Sequence, residues 1–269
     1  MVPSTEPVID MTVDLDRIEA VAIDAVEAAG TYLHEEFHAA NTAGEYGPHD
    51  VKAEADRGAE RRALAPITDA FPDHRIYGEE SGELGGDGPY RWIVDPLDGT
   101  NEFTAGVPTF ASAVTVLSDG KPVVAAIHHP VTDHLYVARR GRGVTFDGEP
   151  VTAETAVPFD AGTCFFVIGH RVKRRPERAE RAAAIRDAIA DEPKRVIDSW
   201  CPCVHWPLLA RGLLQGVVAF FPDEEEQRAG ELLVDESGAS SRRVGDAYVA
   251  APTETAVDRL ADTVRRAEA

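Results

Sequence analysis

A short apolar run that leads directly into two aspartates constrains this 269-residue chain more than any other feature. The run 92–94, Trp-Ile-Val, predicts a buried strand, and Asp95 and Asp98 follow it. Because Pro96 fixes φ and favours a turn, both carboxylates can face one point instead of opposite faces of a strand. Two carboxylates at one point favour a divalent cation, with magnesium as the first candidate. The alternative, that both aspartates only form a turn and cap the next helix, stays open at this point.

The residues after this turn are suited to phosphate. Gly99, Thr100 and Asn101 stand where a helix begins, and the start of a helix leaves backbone N–H groups unpaired. These groups and the helix dipole attract anions. The order of residues therefore predicts a phosphate-binding turn beside a cation site.

Three further acids lie a short distance upstream of this turn. Glu79 and Glu80 follow a short apolar strand pattern, and Asp56 opens the helical pattern before it. Adjacent acids at a strand end are usually solvated, so each has a plain structural explanation. Their position next to the 92–98 segment makes them candidates for the same site.

The first part of the chain has helical periodicity. Two amphipathic patterns cover residues 14–39 and 55–71. Asp14 or Asp16 is placed to cap the first helix, and Pro66 is expected to interrupt or bend the second.

Strand patterns follow, separated by turns. The segment 118–120, Ser-Asp-Gly, predicts a hairpin, and the acidic, glycine-rich segment 82–89 predicts a mobile surface loop. The predicted strands of this part are 75–78, 91–94, 110–117, 122–128 and 134–139.

Beyond about residue 151 strands and helices alternate, which is typical of an α/β arrangement. The strand patterns are 163–169, 195–198, 217–221 and 248–251, and the helical patterns are 176–190, 200–214, 226–236 and 253–267. The fold class is therefore α/β, with an α+β N-terminal half over 1–152 and an α/β C-terminal half over 153–269.

The charge balance excludes one class of function. The chain has 47 acidic and 27 basic residues and a formal net charge of −20, and only four of the basic residues are lysines. A nucleic-acid binder needs a basic stripe to replace counterions, so we expect no nucleic-acid partner. An acidic, lysine-poor surface suits very high ionic strength, where charges are screened within a few ångströms, and we interpret it as the adaptation of a halophile.

The cysteines and the apolar segments indicate a cytoplasmic protein. Three cysteines cannot form a disulfide framework, and no apolar run approaches the roughly 20 residues of a membrane span. Residues 1–11 show neither a basic start nor an apolar stretch, so no secretory signal is expected there.

Several motifs together carry a resemblance that covers nearly the whole chain. They are Ala-Ala-Gly at 28–30, Phe-Pro-Asp-His at 71–74, Gly-Glu-Glu-Ser at 78–81, Asp-Pro-Leu-Asp-Gly-Thr at 95–100, the turns 141–143 and 147–148, and Ala-Gly at 229–230. In this combination the chain resembles the inositol monophosphatase family of magnesium-dependent, lithium-sensitive phosphatases. The wider group includes fructose-1,6-bisphosphatases and bisphosphate nucleotidases.

The resemblance implies a layered α/β/α/β/α sandwich with the site between the two halves, and a homodimer. It implies two or three Mg²⁺ ions per site and a water that attacks the phosphomonoester in line. The metal ligands it implies are Glu79, Asp95, the Leu97 carbonyl, Asp98 and an acid from a later helix. The residues it implies for orienting and deprotonating the water are Thr100 and Asp56, with Glu79 beside them.

The chain departs from the family pattern where that later acid is expected. The second family signature, Trp-Asp followed by three residues and Gly, should cover 225–230, and here Glu226 stands in place of the aspartate. Glutamate is still a hard oxygen donor, but its extra methylene moves the carboxylate by about 1.5 Å. The acidic run 223–226 leaves the register open by a residue or two, and solvated acids at a helix N-terminus are the alternative. Glu102 is a second departure, an added carboxylate close to the phosphate-binding turn.

Three other clusters have mainly structural interpretations. The segment 201–205, Cys-Pro-Cys-Val-His, lacks a second cysteine pair at zinc spacing and is expected to be a packed helix start. His128 and His129 are expected to end a strand. The basic cluster Arg171, Lys173, Arg174 and Arg175 is expected to be a solvated approach to a helix, with contact to a second phosphate or to a partner subunit as the alternative.

The sequence thus predicts magnesium-dependent hydrolysis of a small phosphorylated metabolite, with inositol-1-phosphate as the first candidate. Fructose-1,6-bisphosphate and bisphosphate nucleotides or NADP are the alternatives within the enzyme class. A homologue that binds metal and phosphate without hydrolysis, as a regulatory protein, is the alternative from another class.

Overall fold

The structure, a computed structural model, describes residues 11–47 and 51–269. Residues 1–10, on which the expectation about a secretory signal largely depends, lie outside this range. The helices are α1 (Met11–His38), α2 (Glu54–Ala70), α3 (Thr100–Thr104), α4 (Pro176–Ala190), α5 (Pro202–Ala210), α6 (Glu224–Ser237) and α7 (Glu254–Ala267), with a 3₁₀ turn at Phe159–Ala161.

The strands form three sheets. In chain order they are β1 (Gly44–Tyr46), β2 (Val51–Ala53), β3 (Arg75–Gly78), β4 (Gly82–Gly85), β5 (Tyr90–Asp98), β6 (Ala111–Ser118), β7 (Lys121–His129), β8 (His134–Arg139), β9 (Gly143–Phe146), β10 (Glu149–Val151), β11 (Thr163–Ile168), β12 (Arg195–Asp198), β13 (Gly216–Phe220), β14 (Ser240–Val244) and β15 (Ala247–Ala251). The large sheet has the order β10-β9-β8-β7-β6-β5-β3-β4, the smaller one has the order β12-β11-β13-β15-β14, and β1 and β2 pair with each other.

The helices and the two larger sheets stack in five layers, as the resemblance implied. Helices α1 and α2 pack on one face of the eight-stranded sheet. Helices α5 and α6 lie between the two sheets, and α4 and α7 cover the outer face of the five-stranded sheet. The α/β/α/β/α expectation is therefore confirmed.

The middle layer joins the two halves of the chain. Its core contains Tyr136 and Val144 from the large sheet, Phe165 from the small sheet, and Trp206 and Leu232 from the helices between them. The division of the chain into two halves at 152/153 stays a prediction, because this core contains residues from both halves.

Several local expectations are wrong. The segment 82–89 is not a loop throughout, because Gly82–Gly85 pairs antiparallel with Arg75–Gly78 at the edge of the large sheet. Backbone pairing needs no apolar side chain, so this glycine-rich strand lacks the alternating apolar pattern by which a strand is predicted. Asp14 and Asp16 do not cap α1, since the helix already begins at Met11.

Other boundaries differ less. Helix α2 continues across Pro66, and the helix expected over 200–214 spans only Pro202–Ala210. The hairpin at 118–120 is confirmed, with Asp119 and Gly120 both at positive φ between β6 and β7. Among the described residues, no helix is both long enough and apolar enough to cross a bilayer.

The contact between α5 and α6 gives a test of this packing. Gly230 on α6 lies so close to Trp206 on α5 that a Cβ there would overlap the indole ring. Gly→Ala normally favours a helix, yet here we expect Gly230→Ala to lower the free energy of unfolding by about 1–3 kcal/mol through overpacking. Denaturant titration measures this change. In a Trp206→Phe background the same substitution should cost less, and equal costs in both backgrounds would contradict the overlap.

Candidate metal and phosphate site

The site begins where two parallel strands end together. β3 pairs parallel with β5, with Gly78 opposite Val94, and the Glu79 N–H donates to the Val94 carbonyl at 3.2 Å. Because parallel strands end at the same edge of a sheet, Glu79 comes to lie beside Asp95. The two carboxyl groups are close enough to share a hydrogen bond.

A bulge in β5 brings the second aspartate to the same place. Opposite β6, Asp95 pairs with Ala113 and Asp98 pairs with Ala111, so β5 has one extra residue. In a regular strand, residues three apart point to opposite faces, and the extra residue corrects this. Pro96 has no N–H to donate and fits within the bulge. The turn predicted from the sequence is thus a bulge within a strand.

Glu226 from the first turn of α6 completes a cluster of three carboxylates. One carboxylate oxygen from each of Asp95, Asp98 and Glu226 lies within 4.8 Å of the others, a spacing at which all three could ligate one cation. No other such group of His, Cys, Asp or Glu is found among the described residues. Glu225, the neighbour in the acidic run, also faces the same cleft.

The cluster is electrostatically costly without a cation or a proton. Burial raises the pKa of Glu79 to about 7 and that of Asp98 to about 7. Burial, followed by the charges of Glu79 and Asp98, raises the pKa of Asp95 well above its usual range, and burial and the Asp98 charge do the same for Glu226. In addition, Asp95 Oδ1 is buried with no hydrogen-bond partner. Hard, anionic and incompletely paired oxygens fit a divalent cation.

Asp56 and Thr100 lie together beside this cluster. The Thr100 hydroxyl lies 3.5 Å from Asp56 Oδ1 and 3.1 Å from the Leu97 carbonyl oxygen, so it can donate to either. The other Asp56 oxygen, Oδ2, accepts the backbone N–H of Ala53 at 2.7 Å, which fixes the carboxylate at the start of α2. Thr100 thus contacts both Asp56, to which the resemblance assigns the water together with Thr100, and the Leu97 carbonyl, which the resemblance makes a metal ligand.

Glu60, which the sequence analysis missed, supports Glu79 from α2. Its buried Oε1 accepts the backbone N–H groups of Glu80 at 3.0 Å and Ser81 at 3.2 Å, and so fixes the turn that carries Glu79. Glu60 follows Asp56 by four residues, so the helical period places both on one face of α2. That spacing was the available signal.

The second half of the chain contacts Asp98 from the other side. The Cys203 backbone N–H donates to Asp98 Oδ2 at 2.5 Å, and Cys201 Sγ lies 3.3 Å from the same oxygen. Glu102 faces this segment, where its Oε1 accepts the Trp200 N–H at 3.4 Å. The added carboxylate of Glu102 thus lies nearest to residues 200–201, and it is not among the residues that line the cleft.

These elements line an open cleft. Gly99, Thr100 and Asn101 line it, together with the acids Asp56, Glu79, Asp95, Asp98, Glu225 and Glu226. A basic rim, which we define as His170, Arg171 and Arg174, lines the same cleft. His170 is anchored to the acidic side, since its Nδ1 lies 3.2 Å and its backbone N 2.6 Å from Asp223 Oδ2.

The basic cluster therefore divides between the cleft and other contacts. Arg171 and Arg174 face the cleft, whereas Lys173 Nζ lies 3.8 Å from the centre of the Trp200 ring and Arg175 occupies the N-cap of α4. The segment 201–205 is a packed helix start, as expected, with buried Cys201 and Cys203. His128 and His129 end β7, also as expected.

Comparisons with known proteins agree with this geometry. The model of the inositol monophosphatase family matches residues 14–259. The chain belongs to this family. Among its relatives, a fructose-1,6-bisphosphatase/inositol-1-monophosphatase of Aquifex aeolicus is 28% identical over 242 residues, covering 87% of this chain and 89% of the relative. The Nus factor SuhB of Escherichia coli is 33% identical over 221 residues, covering 81% and 82%.

Solved structures show the same fold. An extragenic suppressor protein suhB from Bartonella henselae superposes with a TM-score of 0.84 at 24% identity, covering 93% of this chain and 98% of the other. An inositol monophosphatase from Anabaena gives a TM-score of 0.80 at 23% identity, covering 94% and 97%. This member of the inositol monophosphatase family thus shares its overall architecture with these solved structures.

The buried acids predict how the free energy of unfolding depends on pH when a chelator keeps the protein free of metal. Because the pKa of Glu79 rises from 4.5 to about 7 on folding, the native state binds more protons than the unfolded state within that window. The free energy of unfolding therefore loses this contribution as pH rises from 4.5 to about 7. Glu79→Gln should become progressively more stable than the wild type over that window, as measured by urea titration at several pH values.

The comparison of Glu79→Gln with the wild type cancels the contributions of buried histidines, which depend on pH in the opposite direction. Burial lowers the pKa of His129 to about 4 and lowers that of His205, so these groups favour folding as pH rises, but they do so equally in both proteins. Asp187→Asn, at an exposed acid on α4, should keep the wild-type pH dependence. A stability difference between Glu79→Gln and wild type that does not change with pH would contradict the prediction.

Proposed function

We propose that this protein is a magnesium-dependent phosphatase of small phosphorylated metabolites. The observation that carries the proposal is the convergence of Asp95, Asp98 and Glu226 on one point, next to the Asp56–Thr100 pair. The family to which the chain belongs is a family of phosphatases, which supports the same conclusion.

The acidic cluster is suited to the metal, and two or three Mg²⁺ ions per site are proposed. Glu79, Asp95 and the Leu97 carbonyl would hold one ion, and Asp95, Asp98 and Glu226 would hold a second. Bound Mg²⁺ would neutralise charge on the attacking and leaving oxygens of a phosphoryl group. The Leu97 carbonyl can serve both the ion and the Thr100 hydroxyl, since it has two lone pairs.

The chain's own residues would hold the attacking water and take its proton. When the Thr100 hydroxyl donates to Asp56, its lone pairs are free to accept a hydrogen bond from a water and so orient it. Asp56 is fixed by the Ala53 N–H through Oδ2, which leaves Oδ1 as the proton acceptor at the end of this relay. No covalent enzyme intermediate is required.

The substrate phosphate would lie against Gly99, Thr100 and Asn101. Gly99 has φ +94°, a conformation suited to glycine, at the turn between β5 and α3. Backbone N–H groups of such a turn can face an anion without the bulk of a side chain. A phosphate bound by this turn would lie directly beside the acidic cluster.

Asp95→Asn tests the catalytic role of the cluster. Because both proposed ions depend on Asp95, we expect kcat/KM with Mg²⁺ to fall by about a thousandfold or more. The measurement is phosphate release from a panel of sugar and inositol phosphates at high salt, with inositol-1-phosphate first. Asp187→Asn is the matched control and should keep wild-type turnover.

The same assay separates the proposal from its alternatives. Full turnover by Asp95→Asn would remove Asp95 as the shared ligand. No phosphate release by the wild type, combined with calorimetric binding of Mg²⁺ and phosphate, would favour a regulatory homologue, as the name of the Nus factor SuhB suggests for that relative.

The basic rim favours a second candidate, a bisphosphorylated substrate such as fructose-1,6-bisphosphate. Arg171 and Arg174 line the same cleft as the acids, where a second phosphate of a bound substrate could lie. A relative is named for both activities, fructose-1,6-bisphosphatase and inositol-1-monophosphatase. Bisphosphate nucleotides and NADP remain further candidates of the same chemistry.

Arg171→Gln distinguishes the two substrate classes. If Arg171 pairs with a second phosphate, KM should rise about tenfold for fructose-1,6-bisphosphate and change little for inositol-1-phosphate. Steady-state kinetics with both substrates measures this. Arg175→Gln, at the N-cap of α4, is the control and should change neither KM. Equal KM changes for both substrates would contradict a second-phosphate contact.

Three properties belong to the proposal as well: a homodimer, a cytoplasmic location and work at high ionic strength. The last is supported by the net charge of −20. The wild-type assay across a salt series tests it, with activity expected to increase toward molar salt.

A further inference from the structure

Two cysteines at the start of α5 enclose one oxygen of Asp98. Cys201 is the N-cap residue of α5, Pro202 is its first residue, and Cys203 is its second. Since Pro202 has no N–H, the Cys203 N–H is the first that α5 can present, and it donates to Asp98 Oδ2 at 2.5 Å. Asp98 thus caps a helix of the second half with the carboxylate that it contributes to the acidic cluster.

The Cys201 side chain adds a second contact to the same oxygen. Its Sγ lies 3.3 Å from Asp98 Oδ2 and 3.2 Å from the Asp98 backbone oxygen. Both residues are buried, so water does not compete for either group. A thiol carries one proton, which it can donate to one of these two oxygens at a time.

We infer that Cys201 is a positioning residue, whose thiol holds the Asp98 carboxylate in the orientation that binds metal. The inference rests on the proposed function, because it gives Asp98 the role of a ligand. With Oδ2 held by Cys201 and Cys203, the Asp98 carboxylate cannot rotate freely, and Oδ1 is left for a cation. Partners behind a metal ligand commonly set its orientation and its basicity.

Cys201 is in the form that can donate, because an ordinary thiol has a pKa of about 8.5 and is protonated at neutral pH. The protonated thiol is therefore a hydrogen-bond donor to Asp98.

Packing is the competing explanation for a buried cysteine here. A Cβ on Gly99 would lie 2.9 Å from Cys201 Sγ, so the sulfur also fills space beside the phosphate-binding turn. A packing role needs only a side chain of similar volume, whereas a positioning role needs a donor. Ser and Ala at position 201 separate the two, because both are smaller than Cys but only Ser can donate.

The experiment combines calorimetry with infrared spectroscopy on the full chain at high salt. Mg²⁺ is titrated into metal-free wild type, Cys201→Ala and Cys201→Ser, and urea titration of each variant confirms folding. We expect Cys201→Ala to raise the Mg²⁺ dissociation constant about tenfold. Cys201→Ser should recover most of the lost Mg²⁺ affinity. The S–H stretching band of Cys201, isolated as wild type minus Cys201→Ala, should shift in Asp98→Asn and when Mg²⁺ is added.

The outcomes distinguish this inference from the proposed function. Unchanged Mg²⁺ affinity in a folded Cys201→Ala protein, or equal losses in the Ala and Ser variants, would overturn the positioning role while leaving the phosphatase proposal intact. A wild type that binds no Mg²⁺ would overturn the proposed function itself. If Cys201→Ala fails to fold, the S–H band of Cys201 is identified as wild type minus Cys201→Ser. A band that shifts neither in Asp98→Asn nor when Mg²⁺ is added would contradict the contact between Cys201 and Asp98.

Discussion

The gathering of buried like charges at the end of β5 is the constraint on which the rest of the structure depends. Burial raises the pKa values of Asp95, Asp98, Glu79 and Glu226, and for Asp95 and Glu226 repulsion by other acids of the cluster raises them further. Such a cluster persists only where surrounding structure fixes it and where protons or cations neutralise it. The bulge in β5, the parallel partner β3 and the first turn of α6 each supply one part of that support.

The excess of acid on this chain has two different meanings. Most of the 47 acidic residues lie outside the cluster and support only the proposal of work at high ionic strength, whereas a few form the cluster. A chain of net charge −20 must nevertheless attract an anionic substrate. The basic rim and cations bound in the cluster would solve this locally, because the field inside a cleft is dominated by the nearest charges once salt screens the distant ones. Arg171 and Arg174 are therefore significant in a chain with only 27 basic residues.

The sequence predicted the parts of the site that depend on strand ends and on residue order. Glu79, Asp95 and Asp98 follow apolar strands, so their meeting at one sheet edge could be anticipated. The β4 strand could not, since backbone pairing of glycines leaves no side-chain pattern. The contacts of Cys201 depend on which helix packs on which strand end, and one sequence does not encode that arrangement in any local signal. For Glu60 the spacing from Asp56 was a signal, but it does not show what that face of α2 contacts. Glu226 is intermediate: its acidic run was evident, but the start of α6 after Asp223 decided which acid faces the cluster.

The position of the cluster makes the two halves of the chain one functional unit. Asp98 belongs to β5 of the large sheet, yet its Oδ2 caps α5, and Glu226 comes from α6. Helices α5 and α6 form the layer between the sheets, where Gly230 lets the Trp206 ring pack closely against α6. A cation that binds all three carboxylates therefore binds only when this middle layer is packed on the large sheet. Since a ligand stabilises the state that it binds, the cation and the packing of the two halves must strengthen each other. The residue at position 201, which lies between the cluster and the middle layer, is where that coupling is most direct.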